Sequence, residues 1–331
     1  MMTASRFDVL GIGNAIVDVL SPADDAFLDR EGLVKGSMTL IDAAAAEALY
    51  GRMAAGVEAS GGSAANTLAG IAGLGGAAAF VGRVRDDALG KVFAHDIRAV
   101  GVSFESAAAS EGPGTARCLV MVTPDAQRTM ATYLGACVGL GPDDVDPGLV
   151  ASAEITYLEG YLWDPENGKA AFRKAITCAH EAGRRVALSL SDAFCVHRWR
   201  AEFLDLVSAG GVDILFANEG EISALFETGD FDTALQATRA LGITAALTRS
   251  EKGSVILGGD EVHVIDAAVP EKVIDSTGAG DLYAAGFLFG LTHDLGLARS
   301  ARLGSLCAAE VLSHYGPRPQ VNLADFVVGR Y

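Results

Sequence analysis

Basic residues are scarce in this 331-residue chain: 25 Lys and Arg stand against 42 Asp and Glu, a formal net charge of −17. A surface of that sign repels polyanions, which argues against nucleic acid or an anionic membrane as a partner. It leaves room for ATP, because a local cradle of backbone amides holds phosphate inside an acidic protein. Cysteine is sparse too. Cys118, Cys137, Cys178, Cys195 and Cys307 are odd in number, scattered, and form no C-x-x-C. Reduced thiols in a cytoplasm are therefore expected, not a disulfide scaffold or a zinc site. The six histidines show no H-E-x-x-H or comparable ligand spacing. No basic region followed by an apolar run opens the chain, so no signal peptide is expected. The longest weakly polar stretch, residues 64–82, contains Asn66 and many glycines and alanines, too weakly hydrophobic for a membrane span.

Two nucleotide motifs are also missing. Gly90-Lys91 is followed by Val92 and lacks the upstream glycine of a P-loop. Gly11-Ile12-Gly13-Asn14 follows a strand-like run but has Ile16 where a dinucleotide fingerprint needs its third glycine. Gly73–Ala78 fits G-x-G-x-x-A, yet it ends a helical pattern and precedes a strand, the reverse of the required context. A P-loop ATPase and a nicotinamide enzyme are both disfavoured.

What is present is a large apolar fraction, 50% of residues, with only 20% charged, enough for a sizeable core. Short β-branched runs at 7–12, 78–81, 155–158, 186–190, 213–216 and 245–247 alternate with helical patterns at 64–74, 89–100, 168–182 and 232–241. That alternation predicts right-handed crossovers and a mostly parallel sheet covered on both faces, a three-layer α/β/α fold. Residues 254–257 and 261–265, joined by Gly258-Gly259-Asp260, predict a late antiparallel hairpin. Two stretches break the pattern. Residues 14–41 begin as a strand and pass through an acidic helix-like piece at 23–29. Residues 115–134 read as two strands joined across Pro124-Asp125. They are candidates for a small β-rich lid that pairs in space.

The most informative segment is Ile274-Asp275-Ser276-Thr277-Gly278-Ala279-Gly280-Asp281, running into the apolar residues 282–291. Small residues before a helix leave consecutive N–H groups uncovered and aligned with the helix dipole, which makes an anion site of main chain. Asp281 stands at its rim, where a carboxylate accepts the proton of an attacking hydroxyl. The bland reading is a tight strand-to-helix connection with an Asp cap. Ser60-Gly61-Gly62-Ser63-Ala64-Ala65-Asn66 places two glycines and an amide at another helix start, either a ligand contact or a glycine-rich loop. Asn14 and Asp18 bracket the first strand's exit and have the chemistry to hold vicinal hydroxyls. Asn218 and Glu221 follow a strand, where open α/β sheets place ligands, and suit a hydrated Mg²⁺; Glu219 also reads as an acid complementing a helix dipole. Thr248, Arg249 and Gly253 follow another strand. Arg128 is a cation in the lid.

These elements, in this order from Gly11 to about Pro319, resemble the PfkB/ribokinase family of ATP-dependent carbohydrate and nucleoside kinases. The most specific pieces are Gly61-Gly62…Asn66, Asn218-x-x-Glu221 and Asp275–Asp281. Within the family the chain looks most like its adenosine kinases. Gly13–Asp18, Phe27-Leu28-Asp29 with Gly32-Leu33, Asp125…Arg128 with Leu134-Gly135-Ala136, and Asp213–Glu219 are similar to their patterns. The resemblance implies a large domain of residues 1–13, 46–112 and 135–331 and a lid of 14–45 and 113–134.

It implies that Asp281 is the catalytic base and that the amides of Gly278, Ala279 and Gly280 hold the transferring phosphoryl group. Asn14, Asp18, Gly61, Gly62 and Asn66 would bind the acceptor, and Arg128 would neutralise phosphate charge. Asn218, Thr248, Arg249 and Gly253 would line ATP, with Glu221 organising Mg²⁺ through water. Asp275 and Thr277, with carbonyls near Gly316, would hold a monovalent cation such as K⁺. The implied reaction phosphorylates the primary hydroxyl of a ribose-type substrate, adenosine first, with ribose, fructose or inosine as sibling acceptors. A sugar-binding module without turnover is disfavoured, because Asp281 and Arg128 are both present. Two departures stand out. Ser250 replaces the glycine that many relatives carry in the Thr-x-Gly turn. Tyr161-Leu162 stands where animal adenosine kinases stack an aromatic ring, so Leu162 is expected to cover the purine. Either a monomer or a lid-mediated homodimer fits the pattern.

Overall fold

A computed structural model describes residues 5–331; residues 1–4, assigned above to the large domain, lie outside them. A nine-stranded sheet forms the centre. Its parallel part runs β12 (Thr244–Thr248), β11 (Ile214–Asn218), β10 (Arg185–Ser189), β9 (Ala153–Glu159), β1 (Phe7–Ile12), β5 (Ala78–Val81) and β6 (Ser103–Phe104). Two antiparallel strands, β13 (Ser254–Gly258) and β14 (Glu261–Ile265), extend it beyond β12 as the predicted hairpin.

The strands are apolar throughout because both faces are covered. On one face Leu10, Ile12, Leu158, Leu188 and Leu215 meet helices that include Glu166–Glu181, Ala193–Ser208 and Glu219–Phe226. On the other, Val9, Ile155, Tyr157, Ile214 and Phe216 meet Ser63–Gly73, Ala88–Ala99, Ala279–Thr292 and Leu297–Val311. This is the expected three-layer α/β/α architecture.

The small sheet has five strands in the order β3 (Met38–Leu40), β8 (Arg128–Tyr133), β7 (Ala116–Val122), β2 (Ile16–Pro22), β4 (Val57–Gly61). Strands β2 and β7 pair in parallel, Asp18 opposite Cys118, which joins the two stretches that broke the alternation. One face buries Val19, Leu119, Met121 and Ala131 against Leu28 and Leu49, from the short helices Asp25–Glu31 and Ala43–Tyr50. The other face carries Ile16, Cys118, Val120 and Met130 and looks into the cleft below. One boundary is corrected. Strand β4 pairs antiparallel with β2, so Val57–Gly61 belongs to the small sheet and not to the large domain that 46–112 was expected to join. The sequence conceals this because β4 is an edge strand whose outer residues, Val57 and Glu58, are exposed.

Among the described residues all five cysteines are free thiols, and no helix is long and apolar enough to cross a membrane.

Candidate active site

A continuous cleft of about 1000 Å³ lies where the parallel strands end and the small sheet overhangs them. Open α/β sheets place ligands at these carboxyl ends. Of the site residues named from the sequence, all line this cleft except Gly61, Asp275, Leu162 and Gly316.

Asp281 lies at the middle. The helix Ala279–Thr292 begins after Gly278, whose φ of 81° is left-handed and whose position makes no side-chain cap. The first amides are therefore open to a ligand. A Cβ at Gly280 would meet nothing within 4 Å, so this turn faces free space. Of the three amides expected to hold phosphate, Ala279 N–H already donates to the Ser276 carbonyl at 3.3 Å. Beneath the turn, fully buried Asp275 accepts from Thr277 N–H (2.9 Å), Thr277 Oγ1 (2.6 Å) and Gly316 N–H (2.9 Å). The pair named for a monovalent cation is thus bonded to itself and braces the turn.

Both oxygens of Asp281 are held from the neighbouring helix Ser63–Gly73. Ser63 Oγ donates to Oδ1 at 2.6 Å and Asn66 Nδ2 to Oδ2 at 2.9 Å. The two helices come this close because Gly70 lacks a side chain; a Cβ there would stand 2.6 Å from the Ala285 methyl. Burial raises the Asp281 carboxyl above its ordinary range, opposed by the bonds from Ser63 and Asn66 and by the positive fields of Arg128 and Arg318. Arg128, at the start of β8, has no hydrogen bond or ion pair with other described residues, while its charge acts on Asp18, Glu221 and Asp281. Its guanidinium is thus left uncommitted among the described residues.

Beneath the small sheet, Asp18 is only 6% exposed, its carboxylate accepts no hydrogen bond from any described residue, and it lines the cleft. Burial pushes its carboxyl up to about 7, against the pull of Arg318. Asn66 Oδ1 is buried without a partner. Such orphan acceptors call for a donor from outside the chain. Asn14 Nδ2 is committed to Glu159 Oε1 at 2.7 Å, and Glu159 Oε2 accepts from Ala64 N–H at 2.9 Å. Glu159 thereby caps the helix Ser63–Gly73 from another element, a role favoured by the helix dipole. Burial lifts its carboxyl to about 7. The two glycines are needed for a different reason than ligand approach. A Cβ on Gly61 would strike the Asp18 carboxylate, and one on Gly62, at φ 95°, would strike the Asn14 carbonyl.

On the opposite side, Asn218 and Glu221 form a reciprocal capping box. Asn218 N–H and Nδ2 donate to the two oxygens of Glu221 (2.9 and 2.6 Å), and Glu221 N–H donates back to Asn218 Oδ1 (2.9 Å). Burial brings Glu221 to about 7. Among the described residues no group of three or more His, Cys, Asp or Glu could hold a metal ion. Such a donor set would suit a hydrated Mg²⁺ that keeps its waters, and not an all-protein cage. Arg249 is held at 3.1 Å by Glu219 and lies 3.9 Å over the Phe231 ring, so Glu219 anchors this cation as well as opening a helix. Ser250 has φ 51°, a left-handed conformation that explains why glycine is usual there.

Leu162 corrects an expectation. It is fully buried in the core under the sheet, in the turn Gly160–Trp163, and Tyr161 faces the cleft in its place. Sequence reasoning also missed several residues. Glu159 carried one usable signal, a carboxylate at the end of a buried apolar strand. Ser63 stood inside the Ser60–Asn66 motif without a role of its own, and Arg318 and the apolar wall formed by Ala267, Val269, Ala308 and Leu312 carried no signal.

A ribokinase-like sheet, an amide-lined helix start and a carboxylate beside it define a class, enzymes that transfer a phosphoryl group to an alcohol. Residues 33–322 match the pfkB family of carbohydrate kinases, and the chain belongs to that family. It superposes on the adenosine kinase from Sinorhizobium meliloti with a TM-score of 0.95 at 54% identity, covering 97% of this chain and 98% of that one. A probable sugar kinase from Rhizobium etli gives 0.95 at 50% identity, covering 98% of each. The ATP-dependent ribose-1-phosphate kinase of Halopiger xanaduensis is 28% identical over 271 residues, 79% of this chain and 83% of the relative. The protein is a phosphotransferase of the sugar and nucleoside kinase type, and these relatives leave its acceptor open.

Proposed function

We propose that the enzyme transfers the γ-phosphoryl group of ATP to the 5′-hydroxyl of adenosine. The observation that carries this reading is the pair of buried, unpartnered acceptors, Asp18 and Asn66 Oδ1, beside the carboxylate of Asp281. They suit the hydroxyls of a ribose whose primary alcohol reaches Asp281. Asp281 takes the proton as the oxygen attacks, the open amides at Gly278 and Gly280 receive the phosphoryl oxygens, and Arg128 closes on the spreading charge. Mg²⁺ brought with ATP supplies further neutralisation of its phosphates. The apolar wall at Ala267 and Leu312 offers a slot for the ATP base.

A purine is favoured over a bare sugar by the roof of the acceptor side. Ile16, Met38, Cys118, Val120 and Met130 present a hydrophobic face there, which a sugar's hydroxyls would leave unmatched and a base would bury. A coupled ADP-release screen over adenosine, inosine, ribose, fructose and ribose 1-phosphate tests the reading. Adenosine should give the highest kcat/KM; no stimulation by adenosine overturns it.

A further inference from the structure

The loop Gly316-Pro317-Arg318-Pro319 touches both halves of the site. Gly316 N–H holds Asp275. Pro317 packs beneath the phosphate turn, 2.7 Å from where a Gly278 Cβ would stand. Arg318 then reaches the other half. Its Nε and Nη2 donate to the Ser60 carbonyl at 3.1 and 3.0 Å, Nη2 also to Ser60 Oγ at 3.2 Å, and Nη1 to the Ala65 carbonyl at 2.9 Å. Ser60 lies in β4 of the small sheet, and Ala65 in the first turn of the helix that carries Asn66.

All of these partners are neutral oxygens. No carboxylate of the described residues lies within ion-pair distance of the guanidinium, and its charge is felt instead by Asp18, Asp281 and Asp96. Burial draws it down to about 10, so it stays a cation at neutral pH. The rigid fork of an arginine suits this task, because it bonds several acceptors in one plane while projecting its charge beyond them.

We propose that Arg318 is a positioning residue for phosphoryl transfer: it locks β4 and the Asn66 helix to the phosphate turn, and its charge, paired with no carboxylate of the described residues, is directed at Asp18 and Asp281. The inference rests on Asp281 acting as the base. Asp281 is faced by Ser63 and Asn66 from the neighbouring helix, Arg128 and Asp18 from the small sheet, Tyr157 and Glu159 from β9, Glu221 from its helix, and Arg318 from this loop. With Arg318 neutralised, Arg128 is the one cation left among these groups.

The test is the pH profile of kcat from about pH 5.5 to about pH 9 at saturating ATP and adenosine, for wild type, Arg318→Gln and Arg318→Lys, with thermal unfolding of each. Removing an opposite charge raises a carboxylate by about one unit. Arg318→Gln should therefore lower turnover at every pH through the lost lock and also move the acid limb up by about one unit, giving about tenfold lower turnover below the limb relative to its own alkaline plateau. Arg318→Lys keeps the charge and loses the fork, so its limb should stay in place while its Tm falls. A wild-type limb that Arg318→Gln leaves unmoved overturns this inference alone. If Arg318→Gln does not fold, Arg318→Lys decides: a limb displaced by a full unit with the charge retained overturns it. A wild-type profile with no acid limb in this range, unchanged in Arg318→Gln, overturns the inference and leaves the base assignment to be decided by Asp281→Asn.

Discussion

Moving from about pH 8 to about pH 6 should stabilise the ligand-free enzyme and slow it, and Asp18 is the residue through which both effects can be read. Burial lifts its carboxyl from 3.8 to about 7. A carboxyl raised on folding binds its proton more tightly in the folded state, so stability rises as pH falls through about 7 and levels off only near the unfolded value. Over this interval one such group contributes about 1.4 kcal/mol, or about 2 °C in Tm for a chain of this size. Glu159 and Glu221 are lifted to about 7 as well, and the net charge of −17 adds general relief on acidification. The comparison with Asp18→Asn separates these contributions. The Asp18 carboxylate accepts no hydrogen bond from any described residue, so the amide loses none there, and the variant should show about 1.4 kcal/mol less stabilisation between the two pH values. Calorimetric unfolding of both proteins without ligands, at constant ionic strength, measures the difference. Identical pH dependence in the two would refute the reasoning. In wild type, kcat/KM for the acceptor should fall about tenfold over the same interval as Asp18 loses its charge.

Asp281→Asn should lower turnover about 10²- to 10⁴-fold while the fold survives, since the amide still meets Ser63 and Asn66; ADP release together with acceptor binding by calorimetry checks it, and undiminished turnover removes Asp281 as base. Arg128→Ala should reduce kcat far more than ATP affinity, by about 10²-fold or more for lost charge stabilisation, and an unchanged rate would take the residue out of the mechanism. Leu162→Ala should cost about 2–5 kcal/mol as a core cavity, read by chemical denaturation, with acceptor KM unchanged; a selective rise in KM would return Leu162 to the acceptor pocket.

The central sheet was legible because its strands are buried on both faces and read as uninterrupted apolar runs. Strands β1 and β5 have the bounds that their composition predicts. Strands β3, β4 and β6 were not, being short edge or near-edge pieces whose residues look to solvent or carry polar side chains. The same division holds in the site. Groups held by local backbone, the turn at Gly278 and the cap at Asn218, announce themselves through spacing along the chain. Glu159 and Arg318 do not, because their partners lie far away in sequence: Ala64 stands 95 positions from Glu159, and Ser60 stands 258 from Arg318. Leu162 failed for a simpler reason. Two adjacent residues on a tight turn point opposite ways, and nothing in the pair Tyr161-Leu162 says which one sees the cleft.

The bonds that join Ser63 and Asn66 to Asp281 span 218 and 215 positions, and this carries a kinetic consequence. Contacts of such separation form only after costly chain closure, so they mature late in folding. The helices and the local hairpin can be in place while the Asp281 carboxylate still lacks both of its donors. On refolding from denaturant, ellipticity should therefore recover ahead of phosphoryl transfer, as stopped-flow spectra and timed activity assays would show; simultaneous recovery would mean that the long closure precedes the rest.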